Sequence, residues 1–216
     1  MSSTAPRPTD FVGPTGNATN KYGTQNPLLR SLLERFLREI DRAVTTVGPS
    51  SILDVGCGEG VVTERLATLT SAPTVGVDLG DELLTSQWSA RSRDGLSFTA
   101  ASAYDLPFDD ASFDCVCALE VLEHLERPDD ALRELARVAR RALVLSVPRE
   151  PLWRAAHLFA GRDVRSLGNT PGHVNHWSSR GFERLVSEFA HVERVRRPFP
   201  WTIVLARPRD PGDRAR

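Results

Sequence analysis

Apolar positions in this chain recur first at helical spacing. Leu29, Leu32, Leu33, Phe36, Leu37 and Ile40 form one stripe, which predicts a helix over 27 to about 44 with one face docked on a core. Asn26 suits its N-cap and Pro27 its first turn. Strand-like and helix-like text then alternates. Strands are predicted over 51–55, 74–78, 96–101, 113–118 and 142–147, and helices over 59–69, 81–91 and 128–138. This rhythm predicts an α/β fold, a parallel sheet with helices on both faces. A further helix over 178–189 carries Phe182, Leu185, Val186 and Phe189 on one face. Two last strands, about 192–196 and 202–206, are expected to pair antiparallel at the sheet's edge.

The rhythm breaks between 148 and 177. Gly161, Gly168, Pro171 and Gly172 interrupt apolar text there. Long irregular insertions in compact domains often serve as lids or binding loops. This one leaves the fifth strand at the carboxyl edge of the sheet, where α/β folds bind ligands. It is therefore expected to wall an acceptor pocket. The organisation predicted is a flexible segment over 1–20, one domain over 21–207, and a flexible tail over 208–216.

Composition narrows the function. The 216 residues are 40% hydrophobic and 25% charged, with a net charge of −1. Lys21 is the single lysine, so the positive charge is almost all arginine. Near-neutrality argues against a general nucleic-acid binder. The absence of an 18-residue apolar run argues against a membrane span, and the first 16 residues hold no apolar signal core, so a cytoplasmic location is expected. Cys57, Cys115 and Cys117 are read as reduced thiols. Cys115 and Cys117 alternate along one strand and are expected to pack in the core.

The strongest local text is Ile52-Leu53-Asp54-Val55-Gly56-Cys57-Gly58-Glu59-Gly60. An apolar strand enters a glycine turn that opens a helix. Glycines there let the backbone turn sharply and approach a ligand beside the free amides of a helix start. Nicotinamide dehydrogenases share a Gly-x-Gly turn, but their fingerprint needs a third glycine where Val61 stands. Asp54 points the same way, since an acid before the glycines repels a pyrophosphate and attracts a cationic amino acid. Asp78, at the tip of the second strand, can accept both hydroxyls of a ribose. Taken alone, it is also a turn or helix-capping acid.

Ser102-Ala103-Tyr104-Asp105-Leu106-Pro107-Phe108 and Leu119-Glu120-Val121-Leu122-Glu123-His124-Leu125 complete the set. With these motifs, the stretch from about 51 to 148 resembles the class I methyltransferases that use S-adenosylmethionine. The likeness is to the small-molecule group that includes ubiquinone and menaquinone methyltransferases. It implies a Rossmann-like, seven-stranded sheet in the order 3-2-1-4-5-7-6, its last strand antiparallel. It implies S-adenosyl-L-methionine as cofactor. Asp54 and the backbone of Gly56, Cys57 and Gly58 would hold the methionine part, with Leu119 touching it. Asp78 would hold the ribose, Leu79 would lie against the adenine, and Ser102 and Ala103 would edge it. Related enzymes often carry Asp where Ser102 stands. Here the Ser102 hydroxyl or Asp105 would accept from the adenine amino group. Tyr22 lies in a segment that forms a lid in such enzymes.

The acceptor side is less specific. His124 is either a catalytic or substrate-contacting group or a structural histidine. His173 and His176, in His173-Val174-Asn175-His176-Trp177, can supply a base or substrate donors, or can staple a loop. Metal ligation there would need a third ligand such as Glu120 or Glu123, and no metal is expected. Arg149, Arg154, Arg162 and Arg165 can receive an acidic substrate or form a solvated face. The function expected is methyl transfer to O, C or N of a small organic molecule by a monomer or homodimer. The alternatives are a protein or sugar-linked acceptor, and a non-catalytic S-adenosylmethionine-binding subunit.

Overall fold

The computed structural model describes residues 25–149 and 174–209. The segment 1–20, Tyr22, most of the 148–177 insertion with His173, and the chain from 210 onward lie outside the described residues. The Asn26 side chain accepts from the Leu28 and Leu29 amides at 3.0 and 3.3 Å and opens α1 (Pro27–Val47). Gly48, at φ 56°, closes it in the left-handed conformation that glycine tolerates. Leu33, Phe36, Ile40 and Val44 bury the predicted stripe.

The elements that follow are β1 (Ile52–Val55), α2 (Val61–Thr70), β2 (Thr74–Asp78), α3 (Glu82–Arg91), β3 (Leu96–Ala100) and β4 (Phe113–Leu119). After them come α4 (Pro128–Val138), β5 (Ala139–Pro148), α5 (Ser179–Phe189), β6 (Ala190–Arg196) and β7 (Trp201–Pro208). The seven strands form one sheet in the order β3-β2-β1-β4-β5-β7-β6. β1 to β5 run parallel, and β7 lies antiparallel to both β5 and β6. This is the Rossmann-like order expected. Two apolar layers cover the sheet, and β4 divides between them by strand alternation. Cys115 and Cys117 face the layer that holds Phe36 and Ile40 of α1. Val116 and Ala118 face the layer that holds Leu132 of α4 and Phe182 of α5. Both cysteines are free and buried.

Two departures from the predicted pattern have clear causes. β5 starts at Ala139, directly after α4, although Arg140 and Arg141 look unlike strand residues. Their exposed side chains reach Asp114, with Arg140 Nη2 at 2.6 Å and Arg141 Nη1 at 3.7 Å. The Asp114 carboxyl is desolvated, yet the Ser50 amide and these two arginines hold it below its ordinary range. In β6, Val192 pairs with Ala206 but Arg194 pairs with Leu205, so Glu193 is an extra residue. Such a bulge flips the alternation. Val192 and Val195 thus both pack toward the α4 and α5 side.

Because β1 to β5 are parallel, Val55, Asp78, Ala100, Leu119 and Pro148 end at one edge of the sheet. Among the described residues, no helix is long and apolar enough to cross a membrane.

Candidate cofactor site at the carboxyl edge

The chain leaves β1 through three glycines in the left-handed region, Gly56 at φ 75°, Gly58 at φ 51° and Gly60 at φ 81°. Space as well as conformation excludes side chains. A Cβ on Gly56 would stand 2.3 Å from Val121 Cγ2, and one on Gly60 would stand 2.5 Å from Phe98 Cε1.

The turn is tied down from two sides. The Gly56 and Cys57 amides donate to the Val77 carbonyl at 2.7 and 3.0 Å. From α3, Trp88 Nε1 donates to the Gly58 carbonyl at 2.7 Å, and Arg91 Nε donates to the Glu59 carbonyl at 2.8 Å. The Trp88 ring stacks on Phe98 with centroids 5.9 Å apart. Nothing in the local pattern of α3 marks Trp88 or Arg91 for this work.

Asp54 is 2% exposed. Its Oδ2 accepts from the Thr63 hydroxyl at 2.7 Å. Burial pushes its carboxyl up to about 7, against the Thr63 hydrogen bond and aided by the charge of Asp78. Asp78 accepts with both oxygens, from the Gly58 amide at 2.8 Å and the Leu79 amide at 2.7 Å. Burial raises its carboxyl too, opposed by those two hydrogen bonds. The Cys57 thiol is pushed up by burial and by the two acids, so it stays protonated. Asp54, Gly56, Cys57, Gly58, Asp78 and Leu79 thus form one connected unit.

The third wall is a tight turn after β3. The Ser102 hydroxyl accepts from the Tyr104 amide at 3.2 Å, and the Ser102 carbonyl accepts from the Asp105 amide at 3.1 Å. Ser102 is buried, Ala103 half-buried and Asp105 exposed. Arg137 of α4 braces the loop beyond, donating to the Leu106 and Phe108 carbonyls at 3.0 and 2.7 Å.

Leu119 ends β4 half-buried. Glu120 beside it takes φ 62°, which is rare for a residue with a side chain. Its carboxylate accepts from Trp201 Nε1 at 2.6 Å and from the Ser146 hydroxyl at 3.3 Å. A turn over Leu122–His124 follows. Asn175 clamps it, with Nδ2 donating to the Leu122 and Leu125 carbonyls at 3.3 and 2.6 Å. The Val174 and Asn175 amides also donate to the Glu123 carbonyl, at 2.9 and 3.1 Å. The structure therefore brings the segment holding His176 onto the turn holding His124. His124 is half-buried and His176 exposed.

The site's chemistry fits S-adenosylmethionine. A buried acid, Asp54, and a half-buried one, Asp78, flank a glycine turn, an acceptor set suited to a ligand with a positive charge and vicinal hydroxyls, not to a pyrophosphate. The strand order and the parallel crossovers define a Rossmann-like α/β domain. Residues 53–145 match the family described as methyltransferase domain. An O-methyltransferase of Aspergillus nomiae is 38% identical over 118 residues, covering 53% of this chain and 52% of that protein. The ubiquinone/menaquinone biosynthesis C-methyltransferase UbiE of Hahella chejuensis is 33% identical over 165 residues, 70% of this chain and 64% of that one. The chain thus spans about half to two thirds of the length of these curated relatives. In fold it is similar to magnesium protoporphyrin IX methyltransferase of Synechocystis. The TM-score is 0.63 at 18% identity, over 87% of this chain and 90% of that one.

Proposed function

We propose that this protein binds S-adenosylmethionine at the carboxyl edge of its sheet and transfers the methyl group to O, C or N of a small organic molecule. The observation that carries this reading is the pairing of Asp54, buried, with Asp78, half-buried, across one glycine turn. The ligand supplies an electrophilic methyl group on a sulfonium. The chain's own work is to bind, align and exclude water. Asp54 offers negative charge on the methionine side, beside the turn from Gly56 to Gly58. Asp78, its carboxylate already oriented by two amides, faces the ribose hydroxyls. Leu79, Ser102 and Ala103 enclose the adenine, and Leu119 meets the methionine side.

The matched relatives are named as an O-methyltransferase and as a C-methyltransferase of ubiquinone/menaquinone biosynthesis, and the latter favours a small-molecule acceptor here. His124, His176 and His173 are the candidate groups for removing an acceptor proton, and Tyr22 the candidate lid residue. We take the enzyme to be a cytoplasmic monomer or homodimer without a nucleic-acid partner.

Calorimetry provides the test. S-adenosylhomocysteine should bind at 1:1, and NAD should bind far more weakly. Asp78→Ala should weaken the former by about 1.5–3 kcal/mol, the scale of charge-assisted hydrogen bonds. Tighter binding of NAD would overturn the cofactor assignment. Binding without turnover across a panel of phenols, enols and amines would instead favour a non-catalytic subunit.

A further inference from the structure

A second concave site lies on the other side of the sheet's edge, between α1 and β6. Arg35, Glu39, Arg42 and Ala43 of α1 form one wall, and Arg194, Arg196, Arg197 and Pro198 form the other. Ile203 and Leu205 of β7 complete the lining of a groove of about 380 Å³. The β6 bulge creates this arrangement. With Glu193 as an extra residue, Arg194 and Arg196 turn to the α1 side opposite Leu205 and Ile203.

The local charge departs from that of the whole chain, which is nearly neutral. Five arginines and one glutamate line the groove, a net excess of four positive charges. Glu39 is shared between Arg42 at 2.6 Å and Arg196 at 3.9 Å. Glu183, outside the groove, takes Arg197 at 3.3 Å. Arg35 and Arg194 have no acid partner among the described residues. Such an excess is costly in self-repulsion unless an anion is bound. Guanidinium forks facing each other across a cleft match phosphate oxygens in geometry as well as in charge.

We infer that this groove binds a small molecule bearing two or more linked phosphates, at a site separate from the cofactor loop. One phosphate, with about two negative charges, leaves the excess uncompensated, whereas two linked phosphates balance it. The size also favours a small molecule. A volume of about 380 Å³ falls in the small-ligand range, while a stable protein interface needs about 800 Å² on each partner.

The probe is inorganic pyrophosphate, titrated calorimetrically into the full chain at low and at physiological salt. Saturable 1:1 binding is expected, with orthophosphate and sulfate at least about tenfold weaker. The double variant Arg35→Ala/Arg194→Ala should lose about tenfold or more. Its melting temperature without anion should be no lower than the parent's, since two repelling charges are gone, and its affinity for S-adenosylhomocysteine should match the parent's, which separates this site from the cofactor site. Three results would each overturn the inference: no saturable pyrophosphate binding, equal affinity in the double variant, or equal affinity for sulfate. So would a polyglutamate peptide that binds more tightly than pyrophosphate, since the groove would then be part of an acidic-protein surface.

Discussion

Asp54→Asn should make the ligand-free protein more stable at neutral pH while weakening cofactor binding. Folding removes the Asp54 carboxyl from water and moves it from 3.8 to about 7. A raised acid binds its proton more tightly in the folded chain than in the unfolded one. Stability from this group is therefore full below about pH 4, falls as the pH rises toward 7, and is flat above. At about 1.4 kcal/mol for each pH step, the ionised carboxylate costs the empty protein roughly 4 kcal/mol at pH 8. Asparagine carries no charge, and its Oδ1 still accepts from Thr63. Its amide hydrogens, buried in the same pocket, take back about 1–3 kcal/mol. A net gain of about 1–3 kcal/mol follows, or a few degrees in melting temperature for a chain of this size. Unfolding should be followed by urea at pH 5 and pH 8. The variant's advantage should appear at pH 8 and vanish at pH 5. In the parent, a cationic ligand prefers the ionised carboxylate, so affinity for S-adenosylmethionine should fall as the pH drops below about 7, and this slope should be lost in Asp54→Asn. A variant no more stable than the parent at pH 8, with an unchanged pH profile of binding, would refute the reasoning.

Two further outcomes are expected. Gly56→Ala meets both a φ of 75° and a Val121 methyl 2.3 Å from the new Cβ. It should cost about 1–3 kcal/mol in denaturant unfolding and displace the cofactor turn, read as lost S-adenosylhomocysteine binding. His124→Ala should lower turnover by about 10²-fold or more if its imidazole is the base, with cofactor affinity within a few-fold. His176→Ala, at an exposed position, should cost less than about tenfold. A larger loss in His176→Ala would exchange the two roles.

Local chemistry made much of the protein legible in advance. The limits of β2 and α4 follow from periodicity, and the Asn26 cap marks the start of α1, whose end at Val47 lies beyond the predicted 44. The alternation of strands and helices implies the parallel sheet, because such crossovers return on one hand. The unit of Asp54, the glycines and Asp78 is legible for the same reason. Its strand end, turn and helix start are contiguous, and the second acid closes the next strand of one βαβ unit.

Contacts between distant segments were decided only by the tertiary structure. Trp88 and Arg91 hold the glycine turn from a helix whose own pattern is unremarkable. Trp201 reaches Glu120 across 81 positions of chain, and Asn175 clamps the turn of His124 across 50. The bulge at Glu193 gathers Arg194 and Arg196 against α1, which simple alternation along β6 does not predict. Periodicity records which face of an element avoids water. It carries no record of which polar side chain meets which carbonyl, because that pairing is set by how the layers pack, and packing is a property of all the elements together.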